Sequence, residues 1–223
     1  MPRSRPASLR RHSTSLNAFL RKINSPDLRI VTIEDPVEYE VPGANQMQTR
    51  AEIGLTFAAA LRSFLRQDPD TILVGEIRDV DTARIAIQSA LTGHFVLSSL
   101  HGTDAVAALH RLLDMGIEAF LVASAIVGVV SQRLLRKTCE NCKEEYTPGA
   151  EELAVFRQHS GGSDKTVFYH GKGCSYCSNT GYHGRIGVYE LLRITPELRR
   201  LIVGWATTKS GQEHAVLWTL RSG

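Results

Sequence analysis

Glu76, Arg78 and Asp79 follow almost directly on a short apolar run, Thr71-Ile72-Leu73-Val74, with Gly75 between. A Pro69-Asp70 turn stands before the run. Apolar residues held between a turn and a glycine read as a buried central strand. Acids just past the carboxyl end of such a strand sit where open α/β sheets bind their ligands. A carboxylate there can hold magnesium, directly or through water, or orient a water attacking a phosphate. Taken alone, the same residues also fit an ordinary solvated turn. Two further segments repeat the pattern: Glu34 closes the run Arg29–Ile33, and His101 follows Phe95–Leu100. Parallel strands end on one edge of their sheet, so Glu34, Glu76 and His101 are expected to converge. The convergence is the signal; each residue alone is weak.

A second constellation lies further on, as Cys139-x-x-Cys142 and Cys174-x-x-Cys177. Two such pairs suit metal better than disulfides in a chain with no secretory signal. Four thiolates around one ion make a closed tetrahedral zinc site, structural because no position is left for a substrate. Free or redox-active thiols are the alternative. The stretch between the pairs exceeds the usual ribbon spacing, but it carries a helical segment near Glu151–Gln158.

The elements that must hold these groups alternate in type. A helix is expected from Ser13, with Ser13 or Thr14 as its cap and Leu16, Phe19, Leu20 and Ile23 on one face, ended by Asn24-Ser25-Pro26. Pro42-Gly43 opens what reads as a polar loop through Gln46, Gln48 and Arg50. Leu55–Leu65 is amphipathic, with Arg62 and Arg66 on neighbouring turns. Asp79 or Asp81 caps a helix through Leu91, stopped by Thr92-Gly93. Asp104 caps another to about Met115, and a further helix is expected from Ile117 to about Leu135. Arg185–Leu192 reads as a strand, and Thr195-Pro196-Glu197 starts a last helix with proline in its first turn. Strands separated by helices of this length describe parallel βα units and an α/β fold.

Composition narrows the function classes. With 223 residues, 43% hydrophobic and 22% charged, the chain has the make-up of a soluble globular protein. A net charge of +3 and few aromatics argue against nucleic acid as a partner. A nucleic-acid-binding zinc ribbon would need a basic patch, but Glu140, Glu144 and Glu145 offset Lys137, Lys143 and Lys172. The longest apolar run, Ala119–Val130, falls short of the roughly 18–20 residues that span a bilayer and reads as a buried helix. The amino terminus has arginines but no apolar signal region, so the expected compartment is cytoplasmic.

Several motifs together resemble one family. Ile33-Glu34-Asp35-Pro36-Val37-Glu38, Leu65-Arg66-Gln67-Asp68-Pro69-Asp70 and Val74-Gly75-Glu76-Ile77-Arg78-Asp79 are similar to signatures of the secretion ATPases. These are the motors of type II secretion and type IV pilus assembly. Thr92-Gly93-His94, Leu100-His101, the tetracysteine motif and Gly184-Arg185-Ile186-Gly187-Val188-Tyr189-Glu190 match as well. The resemblance implies a RecA-like P-loop NTPase core, incomplete at its amino end, with a tetracysteine zinc-binding subdomain. By it, Glu76 belongs to the Walker B element, polarising the attacking water and supporting magnesium. Glu34 belongs to the aspartate box and assists from across the site. His101 matches the histidine box, contacting phosphate or relaying its state. Ser13, Thr14, Asp35 and Glu76 are the implied contacts to Mg-ATP. Arg62 and Arg66 are implied charge stabilisers, acting within or across subunits; a solvated helix face is the other reading. The metal ligands are Cys139, Cys142, Cys174 and Cys177, with zinc as the ion. The implied partners are five further copies in a homo-hexamer and the inner-membrane secretion or pilus platform, which would bring the chain to the cytoplasmic face of that membrane.

At one place the motif order departs from the family. Counting back from Ile30-Val31-Thr32, His12 stands where the phosphate-binding lysine belongs, and Ala7–Arg11 replace the glycine loop without a glycine. Such a loop turns successive backbone N–H groups onto phosphates, which glycine permits and larger residues obstruct. Weak ATP binding is therefore expected. The implied organisation is a disordered basic tail over 1–12, the partial ATPase core over 13–137, the zinc-binding segment over 138–190 and a shortened helical segment over 191–223. A carboxyl-terminal portion of such a motor, or a non-catalytic remnant of one, fits this pattern.

Overall fold

The computed structural model of the chain describes residues 10–161 and 165–207. They form two compact units, one built from residues up to Gln132 together with those from Tyr189 on, the other from Arg133–Val188.

In the first unit four parallel strands make one sheet. Strand β1 covers Ile30–Glu34, β2 Asn45–Gln48, β3 Thr71–Val74 and β4 Phe95–Ser98, in the order β2-β1-β3-β4. Every residue of β3 and the first four of β1 are buried, as near-continuous apolar strands at the centre of a two-sided sheet must be. Alternation then sorts the side chains. Val31, Ile33, Ile72 and Val74 join the larger core on one face, with Leu61 and Phe64 of α2 (Phe57–Phe64) and Ala83 and Ile87 of α3 (Val80–Leu91). Ile30 and Leu73 face the other way, onto Leu16, Leu20 and Ile23 of α1 (Arg10–Ile23). Helices α4 (Ala105–Asp114), α5 (Ala119–Ala125) and α7 (Pro196–Thr207) complete the larger core. Thr56, Asp79 and Asp104 cap α2, α3 and α4 by accepting the backbone N–H three residues on, at 3.2, 2.8 and 2.8 Å. Helix α7 (Pro196–Thr207) packs on α5, and Ile194 and Ile202 lie in the same core as the sheet.

Three expectations need correction. Helix α1 begins by Arg10, so Arg10–His12 are helical rather than part of a tail, and Ser13 lies inside the helix. Arginine is a good helix former, and the Leu16/Leu20/Ile23 stripe anchors the helix against the sheet regardless of where it starts. Residues 1–9 of the expected tail, and 208–223 of the expected last segment, lie outside the described residues. The segment read as a polar loop contains β2, an edge strand. An edge strand is solvated on one side, and only Met47 reaches the core, so no apolar alternation marks it. Finally, the helix from Ile117 stops at Ala125, and Gly128–Thr138 is a strand, β5. Ile126, Val127, Val129 and Val130 are β-branched around a glycine, which favours a strand over continued helix.

Strand β5 pairs with β8 (Tyr182–Arg193), and the chain passes between the units within these two strands. The second unit adds an antiparallel pair, β6 (Lys143–Tyr146) with β7 (Phe168–Gly171), and α6 (Ala150–His159). Tyr146, Phe156 and Phe168 pack edge to face, with ring centroids 6.2 and 5.1 Å apart. Among its described residues little apolar is covered: Cys139, Cys177 and Pro148 are the buried apolar side chains.

Candidate functional site

Strand register builds the first site. Ile33 pairs with Val74, and Val74 with Ser98, so β1, β3 and β4 end level. Glu34, Glu76 and His101 therefore come to one edge, in a cleft that α1 lines with Leu16, Asn17 and Leu20. Asp35, Glu38, Tyr39, Gln46, Arg78 and Ser99 complete its polar wall.

Within it, the Glu76 side chain is largely enclosed, 15% exposed. One oxygen pairs with Arg78, and the other lies 3.4 Å from Nε2 of His101. Arg78 also reaches toward Asp35, at 4.0 Å. The hydrogen bond to Glu76 raises the Arg78 pKa; partial burial opposes this, and the charges of Glu76 and Asp35 add to it. Glu34 is held differently. Thr32, two residues back on the same strand face, donates to Glu34 Oε1 at 2.7 Å, and Gln46 Nε2 donates to the same oxygen at 3.1 Å. Two carboxylates thus face one cleft, Glu76 in an ion pair and Glu34 in neutral hydrogen bonds.

Close backbone approach sets their spacing. Gly75 donates its N–H to Ile33 O at 2.8 Å, and a Cβ on Gly75 would stand 3.2 Å from Glu34 Cα. Gly75→Ala is expected to push the end of β1 away, costing about 1–3 kcal/mol of stability and separating the two carboxylates. A thermal melt indistinguishable from that of the unsubstituted chain would contradict this. Ser99 fixes the neighbouring strand end, donating from Oγ to Gly75 O at 2.7 Å.

The remaining expected site residues fall elsewhere. Thr14 Oγ1 lies 3.4 Å from the Tyr39 hydroxyl on the cleft wall, while the side chains of His12 and Ser13 lie outside the described part. Arg62 and Arg66 are exposed, on α2 and the turn after it, and do not line the cleft. Asp79 spends both carboxylate oxygens on Thr82, as a helix cap. His94 closes the end of α3, its Nδ1 3.0 Å from Ser89 O. Thr32, Tyr39, Gln46 and Ser99 were not singled out for the site. For Thr32 the signal was present, since two residues before Glu34 means the same strand face.

The second site lies in the second unit. All four thiol sulfurs of Cys139, Cys142, Cys174 and Cys177 lie within 4.8 Å of one another. The sulfur separations are 3.9 Å for Cys139–Cys174, 3.8 Å for Cys142–Cys177 and 3.7 Å for Cys174–Cys177. Four thiolates about 2.3 Å from one central ion stand about 3.8 Å apart, so the cluster fits a metal. A disulfide would need roughly 2 Å. Backbone N–H groups of Gly173 and Cys174 point at Cys142 Sγ and Cys177 Sγ, at 3.3 and 3.2 Å, as in knuckles that steady thiolate charge. Burial pushes the Cys142 thiol up to about 12. For Cys177 burial also pushes upward, but the Cys174 and Gly181 backbone N–H groups and the neighbouring thiols outweigh it and hold it at about 6. Four thiols this close cannot all ionise without a cation among them.

Comparison with known proteins follows the same lines. The sequence model of the family described as type II/IV secretion system protein matches residues 12–221. The chain is 50% identical over 198 residues to the type IV pilus assembly ATPase PilB of Thermus thermophilus, covering 89% of this chain and 22% of that protein. It is 45% identical over 202 residues to the type II secretion system ATPase E of Vibrio cholerae, covering 91% of this chain and 40% of that one. The crystal structure of the pilus retraction motor PilT with bound ADP matches with a TM-score of 0.59 and 26% identity, over 93% of this chain and 48% of that one. This likeness agrees with the RecA-like α/β core. The chain spans between about a fifth and two fifths of the length of these curated relatives.

Proposed function

Because this chain belongs to the type II/IV secretion system protein family, we propose that it is part of an ATPase motor for type II secretion or type IV pilus assembly. The reaction is hydrolysis of ATP to ADP and phosphate, coupled to movement of a platform at the cytoplasmic face of the inner membrane. One observation carries the reading: Glu76, Glu34 and His101 converge in a single cleft at the carboxyl edge of the parallel sheet.

In this reading Glu76 accepts the proton of the attacking water, and Arg78 and His101 hold its two oxygens in place. Glu34 faces it across the cleft and, with Asp35, favours magnesium beside the phosphates. Ser13 and Thr14, at the start of α1, contribute to the same end of the site. Arg62 and Arg66, exposed on α2 and the turn after it, are free to act on a neighbouring subunit of a hexamer. At the tetracysteine cluster the ion is zinc, in a structural role, because four sulfurs leave no open position. No described helix is long and apolar enough to cross a membrane, and contact with the membrane runs through partners.

A second reading rests on a specific feature, the absence of any glycine in Ala7–Arg11 and the histidine at position 12. By it the chain keeps the motor fold without turnover. Equilibrium binding of a magnesium–ATP analogue to the purified chain, followed by phosphate release at millimolar Mg-ATP, separates the two. Weak binding with phosphate release supports the motor. Neither binding nor release at millimolar nucleotide would leave only the second reading. Micromolar affinity would overturn the argument from the missing glycines.

A further inference from the structure

We propose that Gln46 is a positioning residue for the Glu34 carboxylate, an inference that rests on the hydrolytic reading of the cleft. Its amide is fully committed. Oε1 accepts the Val41 N–H at 2.7 Å, while Nε2 donates to Tyr39 O at 3.0 Å and to Glu34 Oε1 at 3.1 Å. Only one orientation of the amide satisfies all three, because a flip would set its NH2 against an N–H and its oxygen against two oxygens.

The consequence is a clamp across three segments. Gln46 sits on β2 at the register position beside Thr32, so its side chain reaches Glu34 from the neighbouring strand. Thr32, fully buried, donates to the same carboxylate oxygen at 2.7 Å. Oε1 of Glu34 is thereby held by two donors in a residue that lines the cleft. Oε1, through the Val41 N–H, and Nε2, through Tyr39 O, also pin the 39–41 turn, whose Tyr39 lines that cleft. A carboxylate that must meet a reacting group loses efficiency when it rotates, and one lost contact away from the chemistry can cost up to about a hundredfold. Gln46 lines the same cleft, but its amide is engaged by Val41, Tyr39 and Glu34, so its contribution runs through Glu34.

Gln46→Glu tests this role. The side chain keeps its length and its acceptor for Val41 N–H, but loses the donors to Glu34 and to Tyr39 O and sets a like charge beside Glu34. In the full chain with magnesium and ATP, kcat is expected to fall roughly tenfold or more, with KM changed by less than about twofold. In a Glu34→Ala background the same substitution is expected to cost clearly less, because no carboxylate is left to position. Gln46→Met, uncharged and of similar length, serves as the second variant if Gln46→Glu fails to fold, with the same expectations. An equal loss of kcat in both backgrounds would show a general structural role and overturn the proposal. Unchanged kcat in the single variant would overturn it while leaving the hydrolytic reading intact. No turnover in the unsubstituted chain would overturn the hydrolytic reading and the role of Gln46 with it.

Discussion

Cys174→Ser is expected to abolish stoichiometric metal binding and to unfold much of Arg133–Val188. The reason is how little else holds that unit. Among its described residues the buried apolar side chains are Cys139 and Cys177, themselves members of the cluster, and Pro148. The aromatic contacts of Tyr146, Phe156 and Phe168 are partly exposed, and the ion pairs Lys137–Glu140, Lys143–Glu140 and Lys172–Glu144 lie at the surface. Exposed pairs of that kind contribute ~0–1 kcal/mol each. A structural zinc supplies on the order of 10–16 kcal/mol of apparent binding free energy, which is folding free energy where no site exists in the unfolded chain. Three thiolates and a serine hydroxyl bind far more weakly. The β6–β7 pair should lose amide protection, while Ile30–Glu34 and Thr71–Val74, with their own core, should keep it. Metal content by mass spectrometry of the native protein and amide exchange on one sample test this together. Metal retained at one per chain in the variant would defeat it. A strong chelator added to the unsubstituted chain should reproduce the same local loss.

The main sheet was legible because its strands are short apolar runs with strong punctuation. Thr71–Val74 stands between Pro69-Asp70 and Gly75, and its bounds are those of β3. From there the convergence of Glu34, Glu76 and His101 followed from topology alone, since parallel strands in register end together. The tetracysteine spacing was equally direct. What stayed hidden was set by tertiary context. Asn45–Gln48 is polar at three of four positions, and only pairing with β1 makes it a strand. Its hydrogen-bonding side chain, Gln46, was invisible as a site residue for the same reason. The apolar stretch of α5 continues through Ile126 and Val127 to Val130, inside β5, and periodicity cannot separate helix from strand across such a run. Arg78 was visible as a charge beside Glu76, but its pairing with that carboxylate depends on the turn after β3.

Glu76→Gln is expected to leave nucleotide affinity within a few-fold of the unsubstituted chain while lowering the rate of phosphate release by about 10²–10⁴. The substitution keeps the shape of the side chain and removes the charge that would take a proton from water. Glutamine can still accept from Arg78 through its one amide oxygen, and its NH2 can donate to His101 Nε2 when that nitrogen carries no proton, so the cleft should hold its form. Arg78 keeps Asp35 as a second carboxylate, at 4.0 Å. The stability change should be small, about 1 kcal/mol or less, because the guanidinium is more than half exposed and the ion pair is screened by solvent. The separation of binding from turnover is what assigns the residue. Loss of binding and rate together would mean that Glu76 holds the substrate rather than the water. Turnover at the unsubstituted rate would remove Glu76 from the chemistry altogether, and Glu34 would then be the carboxylate to replace. Single-turnover phosphate release with pre-bound nucleotide distinguishes these cases, since it reports the chemical step without the cost of weak association. The same measurement on Glu34→Gln ranks the two acids. A larger loss at Glu76 is expected, because it stands 3.4 Å from His101 and is held by the ion pair with Arg78.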